Sequence, residues 1–176
     1  MVVTTDDLCL EYLHNFPLFD DLKLIYPDFK MIAFTISNFK NQEDLSTSNE
    51  FIEWFKKRQD WVEIAVHSYD HDGIPDGDRS DERYWIEKAM TSLMPFLPDD
   101  YGYRSPGWQT SNKTESILKE LGFSYIAYET KLKHFNGRIT NNIINSHLYD
   151  VESIRTIYEV LQDNVRKGSG RQFDIP

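Results

Sequence analysis

The apolar positions of this chain alternate between two spacings. Residues 2–5 are β-branched throughout, and residues 30–37 (KMIAFTIS) are apolar at almost every position, as in a strand buried on both faces. Shorter apolar runs at 62–66, 101–104, 123–128 and 142–146 predict four further strands. Between them the spacing becomes helical. Phe51, Trp54 and Phe55 share a face of a helix over 49–57 that Ser46 or Ser48 could cap. Ile86, Ala89, Met90 and Leu93 do the same over 81–94, closed by Pro95. Residues 111–121 predict a helix ended by Gly122. Ile154, Ile157, Tyr158 and Leu161 predict another, started by Asp150 and running to about residue 165. Residues 8–24 are mixed, with Leu10, Leu13 and Phe16 near helical spacing before Pro17.

Strands alternating with helices over the whole length predict an α/β fold with a largely parallel sheet, either closed into a barrel or open. There is no internal repeat and no linker. Residues 1–167 read as one domain and 168–176, which begin Gly-Ser-Gly, as a flexible tail.

Composition narrows the partners. A formal charge of −10 argues against a nucleic-acid surface and favours a neutral or weakly cationic substrate. No apolar run approaches the length of a membrane span, and the lone Cys9 has no internal disulfide partner. With a strand predicted from Val2 and no signal-peptide pattern, the reading is cytoplasmic. Asn112-Lys113-Thr114 matches a glycosylation sequon but is read as a helix start.

The chemistry-bearing residues cluster by position. His67 ends the third predicted strand and His71 follows four places later, a spacing that can aim two neutral imidazoles at one metal ion. Asp6-Asp7 ends the first strand; the pair reads either as a turn or cap, or as one carboxylate for a metal and one for a proton. Arg104 and His147 lie at the ends of two more strands. All four positions are therefore C-terminal strand ends, where parallel α/β folds place active sites. His14 is left out as surface or core filler. The acidic stretch 70–81 fails the calcium-loop pattern in both registers and reads as a solvated loop.

This order of motifs resembles the polysaccharide deacetylases of the NodB-homology group, carbohydrate esterase family four. Thr4-Thr5-Asp6-Asp7 is similar to the family's T-F-D-D, and His67-Ser68-Tyr69-Asp70-His71 matches its H-[ST]-x-x-H. Arg104-Ser105-Pro106-Gly107-Trp108 resembles its arginine-proline motif, and Ile143-Ile144-Asn145-Ser146-His147 its final histidine strand. The resemblance implies a distorted (β/α) barrel that removes an acyl group, N-acetyl first, from a carbohydrate or related amide. It implies one divalent ion, zinc first with cobalt, nickel or manganese as alternatives, held by Asp7, His67 and His71. Asp6 would be the general base oriented by Arg104, and His147 the general acid. Gly107 would offer a backbone N–H to the oxyanion and Trp108 a wall against a sugar, although a tryptophan there is as often core.

The family's fourth motif, an aspartate with a nearby tryptophan, has no counterpart in residues 122–129, which offer only Tyr125, Tyr128 and Glu129. That departure supports an alternative, a non-catalytic carbohydrate-binding or structural descendant of the same fold. An iron oxygenase with two histidines and a carboxylate fits poorly with the helix-rich pattern.

Overall fold

The structure, a computed structural model, describes residues 1–71 and 80–166, with side chains to residue 163. Most of the acidic stretch 70–81 and the expected tail 168–176 lie outside the described residues. Among these residues the strands are β1 (Val2–Leu8), β2 (Met31–Ile36), β3 (Val62–Ser68), β4 (Gly102–Tyr103), β5 (Tyr125–Ala127), β6 (Lys131–His134), β7 (Ile139–Asn141) and β8 (Ile143–His147). The helices are α1 (Pro17–Ile25), α2 (Asn49–Lys56), α3 (Glu82–Leu93), α4 (Asn112–Glu120) and α5 (Val151–Arg166).

The strands form one sheet in the order β7-β6-β5-β4-β3-β2-β1-β8. From β8 through β5 every pairing is parallel, while β6 and β7 join antiparallel. Its two edge strands, β7 and β8, are separated in sequence by Asn142 alone, which has a left-handed φ of 63° and accepts a hydrogen bond from the Val2 amide at 3.2 Å. A one-residue link between opposite edges requires the sheet to curl on itself, and the result is a nearly closed barrel ringed by helices.

Both faces of the central strands are therefore buried, as their sequences require. Every residue of β1 and β2 is buried. Val3, Ala33, Ile64 and Val66 face outward into a large cluster shared with helical residues such as Phe19, Phe51, Ile86, Leu118 and Ile157. Val2, Ile32, Phe34, Ala65 and Leu132 form a small cluster inside the barrel. Local signals set the helices. Ser48 accepts a bond from the Phe51 amide at the start of α2, and Ser111 and Thr114 form a reciprocal capping box on α4. The sequon at 112–114 is thus an ordinary helix start.

The mixed segment 8–24 holds two short helical pieces: a 3-10 turn over Leu10–Asn15 gives way to α1, with Pro17 in its first turn, where a missing N–H costs nothing. The hairpin β6–β7 was not expected, although Asn136-Gly137 is a hairpin turn signal and Gly137 takes a φ of 93° there. Asp6-Asp7 lies within β1 rather than in a turn or cap. No helix among the described residues is long and apolar enough to cross a membrane.

Candidate metal centre

Register brings the chemical groups to one end of the barrel. Along β1 the inward positions are Val2, Thr4 and Asp6, and β8 lies beside it with Asn145 opposite Thr4 and His147 opposite Asp6. Along β3, Glu63, Ala65 and His67 point inward. The Arg104 amide continues the β4 pairing by donating to the Val66 carbonyl at 2.9 Å.

Strict alternation would turn Asp7 away from Asp6. A register shift between Thr5 and Leu8, together with a φ of 66° at Asp7, breaks it and keeps both carboxylates at the same mouth. A second shift, between Thr35 and Ile36, falls opposite His67, so β1 and β3 are each irregular beside the group they deliver, whereas β8 pairs with β1 without a shift. His71 (φ 53°) and Trp108 (φ 59°) are also left-handed. Strained backbone of this kind persists where the surroundings over-determine it, and it gathers at functional sites.

The resulting geometry fits a metal ion. Asp7 Oδ1 lies 3.5 Å from His67 Nε2 and 3.4 Å from His71 Nε2, and one ligand atom from each residue falls within 4.8 Å of the others. Those separations are long for hydrogen bonds. They match the edge of a tetrahedron around an ion with bonds near 2.1 Å, which is about 3.4 Å. His67 Nδ1 donates to the Arg104 carbonyl at 2.8 Å, which fixes the tautomer and leaves Nε2 free to ligate. Two imidazoles and a carboxylate suit zinc and its neighbours among the divalent metals.

The charges agree with this. Burial alone would raise the Asp7 carboxyl, but the hydrogen bond from His147 and the imidazoles of His67 and His71 outweigh it and hold Asp7 far below the usual carboxylate range. Burial also opposes protonation of His67, yet Asp7 and Asp6 beside it push its pKa upward, whereas burial and the neighbouring His67 push His71 down.

Asp6 is 1% exposed and its two oxygens receive three donors. Arg104 reaches Oδ1 at 2.5 Å, while Trp108 Nε1 and Asn145 Nδ2 reach Oδ2 at 2.7 and 3.1 Å. Arg104 is itself fully buried, lies on the Phe34 ring, and donates to Asn145 Oδ1 at 2.7 Å and to the Tyr128 carbonyl at 3.3 Å. Thr4 closes the network with a 2.6 Å bond to Asn145 Oδ1. Asn145 is the member that sequence reasoning missed. It reads as an ordinary strand residue until β8 is set beside β1.

His147 Nδ1 sits 3.1 Å from Asp7 Oδ2 and 4.0 Å from Asp6 Oδ2, so it stands beside both carboxylates. The hydrogen bond to Asp7 pushes its pKa upward. Its ring stacks on Trp108 at 5.4 Å, which places Trp108 at the site and outside both hydrophobic clusters. Gly107, exposed with a φ of 64°, has open space where a side chain would stand.

Residues 122–129 contribute the Tyr128 carbonyl to Arg104 and no carboxylate to His147, since Glu129 is exposed. His14 is exposed on its own turn, outside the site. Cys9 is buried and its thiol is pushed up to about 12 by burial, so nucleophilic chemistry there is unsupported.

No protein-family model matches the sequence, and no curated protein matches it. Solved structures do. A family 4 carbohydrate esterase from Bacillus anthracis superposes with a TM-score of 0.66 at 16% identity, covering 98% of this chain and 78% of the other. A family 4 acetyl xylan esterase from Clostridium thermocellum, in complex with a cobalt ion, gives 0.59 at 17% over 98% and 86%. A CE4 family pseudoenzyme from Bacillus anthracis gives 0.58 at 14% over 93% and 61%. The chain has the fold of the family 4 carbohydrate esterases, the distorted (β/α) barrel.

Proposed function

We propose that the chain is a metal-dependent hydrolase of the deacetylase type, which removes an acyl group, N-acetyl first, from a carbohydrate or a related amide. The observation that carries this is the approach of Asp7, His67 and His71 to ligand distance beside a second buried carboxylate and a half-exposed histidine. A divalent ion held by the three would lower the pKa of a water and polarise an acyl carbonyl.

The chain's own residues supply the rest. Asp6, oriented by Arg104, Trp108 and Asn145, takes the proton of the attacking water. His147, partly exposed beside both carboxylates, protonates the departing amine or alcohol. The open backbone at Gly107 lets the acyl oxygen approach a main-chain N–H. The cobalt-bound esterase and the carbohydrate esterases of the same fold support both the ion and the substrate class.

A second reading, a non-catalytic carbohydrate-binding descendant, has one observation in its favour. His147 lacks the carboxylate partner expected from residues 122–129, and a pseudoenzyme shares the fold. Acetate release from N-acetylated and O-acetylated oligosaccharides, with zinc or cobalt added and with Asp6→Asn alongside, separates the two. The hydrolase reading predicts turnover that chelation removes and that Asp6→Asn lowers at least ~100-fold. Absence of turnover in every metal, or turnover indifferent to Asp6, contradicts it.

A further inference from the structure

The base of the barrel holds a cavity none of whose lining residues belongs to the metal centre. β3 runs beside β2 from Val62 to Ser68 but pairs with β4 only at Val66 and Tyr103, so among the described residues no strand flanks the start of β3 on that side. Residues 95–98 stand across from it, and between them lies a cavity of about 570 Å³, within the range of small-molecule sites. Glu63, on its lining, precedes His67 on the same strand by four residues, about 13 Å toward the opposite end of the barrel.

The lining combines two kinds of surface. Phe96 packs edge-on against Phe51 and Phe55, with ring centroids at 5.1 and 5.5 Å, which fixes its ring, and Leu97 and Trp61 extend the apolar area. Glu63 and Asp60 supply carboxylates and Lys30 an ammonium. Of the charged neighbours acting on Glu63, Asp100 outweighs Lys30, so the field at its carboxyl is negative.

Glu63 is held by a partner for which the fold makes room. The Tyr125 hydroxyl donates to Glu63 Oε1 at 3.2 Å. The Tyr125 ring, 1% exposed, passes over Gly102 on the neighbouring strand, where a Cβ would overlap it. Carrying a carboxyl into the barrel is costly, and an apolar side chain would fill the base more favourably if packing were the only requirement. Burial, helped by Asp100, raises the Glu63 carboxyl to about 7 against the Tyr125 bond and Lys30. Half-buried, it remains reachable from the cavity it lines.

We propose that this cavity is a second binding site, for an amine with an aromatic or aliphatic body, its ammonium against Glu63 and its body against Phe55, Phe96 and Leu97. The bound ammonium gives Glu63 a counter-charge in a setting that otherwise opposes ionisation, and Asp60 adds to the attraction. The same carboxylates oppose an anionic ligand. Binding here requires neither an ion nor turnover at the mouth.

NMR titration of the isotope-labelled full chain with phenethylamine, phenethyl alcohol and phenylacetate compares three head groups on one body. Phenethylamine shifts the amides of Glu63, Ile64, Phe96 and Leu97, binds with a Kd of about 1 mM or tighter, and binds at least about tenfold more tightly than phenylacetate. Glu63→Gln, nearly the same shape, lowers the affinity for phenethylamine at least about tenfold and leaves that for phenethyl alcohol unchanged. Phe96→Ala weakens the amine and the alcohol alike. The same spectra show whether each variant is folded.

Binding of none of the three, equal affinity for the amine and the carboxylate, shifts confined to the mouth, or a folded Glu63→Gln protein that binds the amine as before overturns the proposal. Amine-selective shifts at the base that Phe96→Ala weakens support it even if Glu63→Gln does not fold.

Discussion

The barrel interior holds inward-facing carboxylates at both ends, and the two ends treat them in opposite ways. At the mouth, Asp7 meets three imidazoles and is kept ionised against its burial, and Asp6 takes three donors including a buried guanidinium. At the other end, Glu63 on β3 accepts a hydrogen bond from the Tyr125 hydroxyl at 3.2 Å, and burial, helped by the nearby Asp100, outweighs that bond and Lys30 and raises it to about 7. The same strand thus carries Glu63 at one end and His67 at the other. Ionisation is favoured where the fold brings several donors and imidazoles to the carboxylate and opposed where burial outweighs them. The mouth is therefore organised around charged groups, and the base of the barrel is not.

Breaking the mouth gives the largest effects. His67→Ala removes one of the three proposed ion ligands and should reduce bound zinc from about one per chain to under about 0.1, with at least ~1000-fold loss of any turnover. Metal analysis of dialysed protein checks the first part and acetate release the second. Arg104→Ala leaves Asp6 buried without its cation, and should cost about 3–5 kcal/mol by urea unfolding. A cost below about 1 kcal/mol would mean that the pair contributes little.

Asn145→Leu keeps the branched shape but leaves the Thr4 hydroxyl proton without its acceptor, takes a donor from Asp6 and takes an acceptor from Arg104. It should cost about 1–3 kcal/mol and lower turnover more than it changes substrate affinity. Unchanged turnover in a folded variant would remove Asn145 from the positioning network.

The smallest effect sharpens the contrast through pH. Glu63 is raised in the fold above its ordinary value of 4.5, so its contribution is fully present below pH 4.5 and is lost as pH rises through about 7. Asp7 is depressed, so its contribution is present above pH 3.8 and is lost as pH falls below that. Glu63→Gln should therefore raise Tm at pH 8 and leave it nearly unchanged at pH 4. A variant equally affected at both values would show that Glu63 is not held neutral.

Much of this was legible in the sequence because its causes are local. A β-branched run marks β1 and an apolar run β2, Ser48 and Ser111 mark helix starts, and the spacing of His67 and His71 marks the candidate site. What escaped depends on pairing or on backbone conformation. Asn145 acquires its role only when β8 lies beside β1, and nothing in the sequence around Asp7 signals the left-handed turn that brings it beside Asp6. Glu129, the nearest candidate for the missing carboxylate, proves exposed because the chain continues from there into the β6–β7 hairpin. The Asn136-Gly137 signal for that hairpin was present, but the flanking KLKH and ITN segments are too short and polar to read as strands alone.

The central claim is that three side chains separated by up to 64 positions (71 − 7) enclose a single cation. Anomalous scattering from crystals grown with zinc or cobalt tests it most directly. The account predicts one peak about 2.0–2.2 Å from an Asp7 oxygen, His67 Nε2 and His71 Nε2. Full metal loading with no peak there, or a peak held by other residues, would contradict it.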